Sequence, residues 1–465
     1  MAFVPLAAVG QEFDLVLRGG RVMDPESGLD SIRDVGVSGG KIRAISEAAL
    51  KGKEIVDATG LAVAPGFIDL HQHALDEESI AFKIRDGVTS VLELEVGAAE
   101  VAKWYAEREG KWPVNFGVSV GHIPVRMKVM GDFPSFLPKS DSKAATEPAT
   151  DAQIAAMKAG ISKGLDEGAV AVGFGVRYTP VATPQEILEM FRVAGERGAS
   201  CHVHLRDRGD QGVRNAVSAA EEVIAAAALS GAPLQIVHLQ AIGAGATPVL
   251  LEMVGDAQAR GLDVTAEVYP YTAGMTDIKS SIFAEGWREE FGLDYGDLQW
   301  GATGERLTAE SFRKYRETGG LVIVHSNPES TVTFALKHPA AMVASDGLVG
   351  HPRNAGTFAR MLGHYARDRR ELTLMEALKK ISLMPAQRLE KRVPAMRNKG
   401  RIQVGADADL TVFDPESVID RATFTEPKTA SEGIPFVIVN GAVVVRDGEI
   451  VEGALPGRAI RAPEK

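Results

Sequence analysis

The sequence predicts an α/β fold, a (β/α)8 TIM-like barrel joined to a small β-sandwich that both termini build. Three observations predict it. Strand-like and helix-like segments alternate from 64 to about 399, the pattern of a parallel barrel. Short strands broken by Gly or Asp-Pro turns fill 13–63, and the same texture returns over 400–455. The chain of 465 residues is too long for one ordinary domain and suits a barrel with a smaller companion.

In the first stretch, strand candidates at 14–17, 21–23, 34–37 and 41–45 are separated by Gly19-Gly20, Asp24-Pro25 and Gly39-Gly40. In the barrel stretch the strand candidates are 90–95, 169–174, 200–204, 234–238, 263–268, 320–325 and 341–345, with helices such as 184–197 and 213–229 between them. The segment 132–150 is rich in Pro, Ser and Lys and lacks periodicity, so it reads as an insertion or lid loop. In the last stretch a strand at 410–413 ends at Asp414-Pro415, and Asn440-Gly441 between apolar runs marks a hairpin.

Composition, 45% apolar and 24% charged, is that of a soluble globular protein. A net charge of −11 argues against a nucleic-acid partner, which needs a basic face. The single cysteine, Cys201, excludes an internal disulfide and a Cys-rich zinc site. No apolar run reaches the roughly 18 residues of a membrane helix. Residues 1–10 are mildly apolar without a basic start and read as a mobile leader. A cytoplasmic location is therefore expected, with export behind a processed leader as the alternative. The oligomeric state is not legible.

The most informative stretch is Pro65-Gly66-Phe67-Ile68-Asp69-Leu70-His71-Gln72-His73. Alternate residues of a strand share a face, so His71 and His73 point the same way, into the barrel mouth. Imidazole nitrogen is a standard zinc ligand. Cys201-His202-Val203-His204 again puts two histidines on one face, with His204 nearer the strand end, and Gln235-Ile236-Val237-His238 ends the next strand on one. Ala344-Ser345-Asp346-Gly347 ends a later strand on a carboxylate able to bind metal, activate a water and return its proton. Glu93 and Glu95 share one face of an apolar strand, costly to bury unless charged partners or a metal compensate. Arg177, Arg206, Lys279 and Arg353 lie in strand-end loops and suit a substrate carboxylate. His122 follows Gly121 near the mouth; neither its role nor that of His202 is decided by the sequence.

These residues resemble the amidohydrolase superfamily over essentially all of 13–452. Within it the chain is similar to the D-aminoacylase, or N-acyl-D-amino-acid deacylase, branch. The stretches Gly173-Phe174-Gly175-Val176-Arg177-Tyr178-Thr179-Pro180, His204-Leu205-Arg206-Asp207, Val268-Tyr269-Pro270-Tyr271 and Val437-Ile438-Val439-Asn440-Gly441 carry that likeness. The resemblance implies His71, His73, His204 and His238 as ligands of one or two Zn2+ ions, Asp346 as catalytic acid and base, and Tyr178 near the substrate. Arg177, Tyr271 and Arg353 are the further substrate-binding candidates. Two departures matter. The branch's metal-binding Cys is absent, and Glu95 stands as its replacement, in a Glu-Leu-Glu pattern that looks like D-glutamate deacylases. The branch's Ser after Tyr-Pro-Tyr is also absent, and 272–276 offers only Thr hydroxyls. The strand at 169–174 carries no Lys for a carbamylated bridge. The expected activity is metal-dependent hydrolysis of small N-acyl-D-amino acids, N-acyl-D-glutamate among them. Cyclic-amide or dipeptide hydrolysis on the same scaffold, and a non-catalytic scaffold protein, stay open as alternatives.

Overall fold

The computed structural model describes residues 12–464; the leader expected at 1–10 lies outside the described residues. Five strands come first: β1 (Glu12–Asp24), β2 (Leu29–Ser38), β3 (Lys41–Ser46), β4 (Lys51–Asp57) and β5 (Ala62–Pro65). The Gly19-Gly20 turn expected from the sequence is instead a bend within β1. The pairing with β2 shifts register between Leu17 and Gly20, and Gly19 takes φ +68°, a conformation open to glycine without strain. The first half of β1 pairs with β4 and the second with β5.

The next seven strands are β6 (Phe67–Asp69), β7 (Val88–Ala98), β8 (Asn115–Gly121), β9 (Ala171–Gly175), β10 (Ser200–His204), β11 (Leu234–Ile236) and β12 (Val264–Val268). After them come β13 (Ala273–Asp277), β14 (Leu298–Trp300), β15 (Leu321–His325) and β16 (Ala341–Val343). Strands β6 to β12 followed by β16 form one parallel eight-stranded sheet. It closes into a barrel at the β6–β16 seam. There the Ser345 hydroxyl donates to Asp69 Oδ2 at 2.6 Å, and Gln72 bridges to Gly347. The buried Lys83 ammonium sits 3.0 Å from the same Asp69 oxygen and neutralises it.

One strand expected in the barrel is elsewhere. The 320–325 run is β15, the centre of a three-stranded antiparallel sheet β13-β15-β14 inserted before β16. Its ends are only half-buried, whereas the barrel strands are buried nearly throughout. An apolar run of five residues does not reveal which sheet will take it. The barrel position is filled by β8, whose Asn, Gly and Ser content hides it from a propensity reading.

The chain returns through β17 (Leu410–Phe413), β18 (Phe436–Val439), β19 (Ala442–Arg446) and β20 (Glu449–Ile450). β17 lies antiparallel to β5, so strands from both ends share one nine-stranded sheet. Leu17, Val35 and Val63 pack there with Leu410, Val412 and Ile438. Asn440 and Gly441 both take positive φ, as the tight β18–β19 hairpin requires. The tail then runs back under the barrel, where Ile460 packs with Ile68, Leu92 and Val170. Among the described residues no helix is long and apolar enough to cross a membrane.

Candidate active site

Every strand that matters here delivers its side chain at the C-terminal rim. His71 and His73 follow β6, Glu93 and Glu95 share one face of β7, His204 ends β10, His238 follows β11, Glu267 lies on β12 and Asp346 follows β16. His238 and Asp346 hold the left-handed region, φ +33° and +50°. Such backbone costs on the order of 1–3 kcal/mol per residue and concentrates at functional sites.

Glu95 is the centre. Its Oε2 lies 2.7 Å from His71 Nε2 and 3.2 Å from His73 Nε2, and its Oε1 lies 2.9 Å from His204 Nδ1 and 3.8 Å from His238 Nε2. Asp346 Oδ1 is 3.3 Å from His73 Nε2 and 3.5 Å from His71 Nε2. Two groups of potential ligands result, His71, His73, Glu95 and Asp346 in one, and Glu95, His204 and His238 in the other.

The donor chemistry of the first group fits a cation. His71 Nδ1 faces Glu267 Oε1 and His73 Nδ1 faces Glu93 Oε2, both at 2.5 Å. A carboxylate accepts, so each Nδ1 is assigned the proton and each Nε2 a lone pair. Those lone pairs face each other at 3.0 Å, with the Glu95 and Asp346 oxygens around them. Acceptors converging without a donor are stabilised by a positive ion. Imidazole nitrogen with carboxylate oxygen suits zinc, and a carboxylate common to two groups can span two ions.

The potential agrees. Burial opposes protonation of His71, yet Glu267 and Asp346 hold its pKa well above the ordinary imidazole value. Glu93 and Asp346 do the same for His73. His204 goes the other way, to about 4, through burial and the neighbouring His238. Glu95 stays well below the usual carboxylate range despite burial, because the imidazoles favour its charge. Asp346 is also lowered against burial, chiefly by Arg353 and His71.

His73, Glu95, His204, His238 and Asp346 line the bottom of a cleft, the concave kind of site that takes a small molecule. The 132–150 segment does reach it: Phe136 and Leu137 line the cleft, and the Phe136 ring lies 5.0 Å from that of His73. Tyr178 lines it too, its ring 4.9 Å from His204 and its hydroxyl 3.3 Å from that of Thr276. Burial and the Glu95 charge push the Tyr178 phenol above its ordinary pKa. Thr276, one of the hydroxyls noted after Tyr-Pro-Tyr, is therefore at the cleft. Arg177 lines it and pairs with Glu290 at 2.8 Å.

Other expectations need correction. Tyr271 is buried away from the cleft, its hydroxyl 3.4 Å from the Pro352 carbonyl and its ring against Arg360; Tyr269 lines the cleft instead. Arg353 is not on a loop over the mouth. It starts the helix Arg353–Arg360, is fully buried, and sets Nη1 2.9 Å from Asp346 Oδ2. That contact is Coulombic rather than a directed hydrogen bond, and Nε, Nη1 and Nη2 have no hydrogen-bond partner among the described residues. Arg206 pairs with Glu222 outside the cleft. His122 lies against Glu186 beside Arg126, and His202 contacts the Ser200 hydroxyl, so neither joins the cluster. Sequence reasoning missed Glu267, although a carboxylate in an apolar barrel strand was the signal that marked Glu93 and Glu95.

A model of the amidohydrolase family matches residues 139–445. The chain is similar to N-acyl-D-glutamate deacylase of Alcaligenes xylosoxydans xylosoxydans, 31% identical over 97% of both chains. The crystal structure of N-acyl-D-glutamate deacylase from Bordetella bronchiseptica holds zinc and a phosphonate that mimics the tetrahedral intermediate. It superposes with a TM-score of 0.84 at 28% identity, covering 97% of this chain and 100% of that one. A D-aminoacylase with a binuclear metal centre superposes with a TM-score of 0.82 at 28% identity and the same coverage.

Proposed function

The chain belongs to the amidohydrolase family, and from that premise we propose that it hydrolyses N-acyl-D-amino acids to a carboxylate and a free D-amino acid. The observation that carries the reading is the meeting of two ligand groups on Glu95 at the bottom of the cleft, beside Asp346. His71, His73, Glu95, His204 and His238 would hold one or two zinc ions. When bound, zinc would supply Lewis acidity, the property that acidifies water and polarises a carbonyl.

The remaining work falls to the chain. Asp346, kept ionised beside Arg353, accepts the proton of the attacking water and returns it to the departing amine nitrogen. One water is consumed as the C–N bond breaks. Glu267 and Glu93 fix the tautomer and aim of His71 and His73. Tyr178, held protonated, donates a hydrogen bond to the acyl oxygen. The α-carboxylate, beside the scissile amide, is assigned to Arg353, whose guanidinium has donors to spare but is buried behind Asp346 and the Tyr269 ring, so those side chains must move aside to admit it. The lid residues Phe136 and Leu137 cover the acyl group and exclude water. Cys201 is a free, buried thiol, which accords with a cytoplasmic enzyme.

The test is a screen of N-acetyl-D- and N-acetyl-L-amino acids on zinc-loaded enzyme, following free amine. Turnover of D substrates with little of L is expected. No amine from any D substrate, together with ring opening of a cyclic amide, would move the assignment to a cyclic amidase. Negligible zinc in the purified protein would leave only the scaffold reading.

A further inference from the structure

Away from the histidine cluster, the cleft passes under the short helix Trp287–Phe291. Two guanidinium groups line that part. Arg177 and Arg208 each lie against the Phe291 ring, at 5.2 and 5.3 Å from its centroid, a contact that holds a guanidinium flat without using its hydrogens. Arg208 is aimed by two hydrogen bonds, Nε to the Ala241 carbonyl at 2.9 Å and Nη2 to the Ser326 hydroxyl at 2.6 Å. Its Nη1 has no hydrogen-bond partner among the described residues.

The charges there do not balance. Glu290, half exposed, pairs with Arg177. Asp207 also lines the cleft, but Arg214 takes its Oδ1 at 3.2 Å. Arg208 has no carboxylate within ion-pair distance among the described residues, and it sits close enough to Arg177 to feel that charge. Burial first, and Arg177 after Tyr269, act on its guanidinium, with a net fall below the ordinary value. Holding two like charges in one partly desolvated cleft is unfavourable unless an anion enters.

We propose that Arg208, together with Arg177, forms a second carboxylate subsite, which takes an acid group of the substrate other than its α-carboxylate. This rests on the deacylase reading above and narrows it to dicarboxylic substrates. The acid group is carried by the amino-acid side chain or by the acyl chain; both present the same planar anion to the guanidinium pair.

The experiment compares zinc-loaded wild type, Arg208→Met and Arg208→Lys on N-acetyl-D-glutamate, N-succinyl-D-leucine and N-acetyl-D-leucine. It measures kcat/KM and, by calorimetry, affinity. Arg208→Met should weaken one of the two dicarboxylic substrates by about 10²-fold and leave N-acetyl-D-leucine within about twofold; Arg208→Lys should recover part of the loss. The glutamate derivative responding assigns the side chain, the succinyl derivative the acyl chain. Equal change on all three, or no change on either dicarboxylate, overturns the subsite. Wild-type turnover tests the deacylase reading; the affinity difference tests the subsite with or without turnover. Glu290→Gln, an exposed change with little risk to folding, frees Arg177 and should raise affinity for the responding substrate several-fold. No rise would remove Arg177 from the subsite.

Discussion

Glu95 has histidines on both sides, and the two sides are built differently. Behind His71 and His73 stand Glu267 and Glu93, each 2.5 Å from an Nδ1. On the other side, His204 turns its own Nδ1 to Glu95, and the Nδ1 of His238 has no hydrogen-bond partner among the described residues. The first pair is braced by carboxylates that raise its basicity. In the second, burial and the neighbouring His238 lower His204 to about 4. The same residue type thus serves one centre with opposite electrostatic surroundings, and Glu95 couples the two.

The widest effect should come from breaking the shared element. Glu95→Ala removes a ligand from both groups, so zinc content by mass spectrometry should fall on both sides and activity nearly vanish. His71→Ala and His238→Ala should each strip only one side. Glu95→Cys should bring back a single tight zinc without full activity. Full zinc in Glu95→Ala would show that the two sides bind independently of it.

Asp346→Asn belongs to the braced side but should spare most of the metal. An amide cannot accept the water proton, and a base of this kind contributes ~10² to 10⁴-fold. A kcat loss under tenfold would hand the proton to another group.

Glu267→Gln and Glu93→Gln test the bracing directly. Each should weaken zinc at the His71–His73 side by about 10 to 100-fold, read by competition with a chelator, and leave the His204–His238 side unchanged. Glu93 lies one pleat deeper in its strand than Glu95, which from the sequence alone suggests a larger effect on stability than on metal. Its contact with His73 makes metal affinity the quantity to watch, and a thermal shift without an affinity change would restore the first view.

Tyr271→Phe should do least. Its hydroxyl makes one long contact outside the cleft, so kcat/KM should stay within about twofold. A tenfold fall would return Tyr271 to the substrate.

Much of this site is legible in the sequence because strand parity is simple. His71 with His73, and Glu93 with Glu95, fall on common faces by alternation alone. Parity fails where a strand ends: Tyr269 and Tyr271 are both two-residue neighbours, yet only Tyr269 meets the cleft, because the chain leaves the barrel for β13 there. It also fails across the barrel. Glu267 reaches His71 from a strand far away in sequence, and no local pattern announces that pairing. Arg353 reads as a loop residue because it lies only seven residues past Asp346 at a strand end, but it opens a helix that Pro352 caps. Within the barrel, strand membership is legible except for β8 and β15, which only the closed ring distinguishes; β4, β13, β14 and β20 have no candidate in the sequence.

The seam that closes the ring, Asp69 with Ser345, has a consequence for the order of biosynthesis. His71 and His73 lie just past its first edge and Asp346 just past its second. On the ribosome, where chains emerge N-terminus first, Glu95, His204 and His238 leave the tunnel well before Asp346. The three-ligand half is therefore synthesised in full while the ring is still open. The half that contains the proton carrier is finished only when the last barrel strand docks.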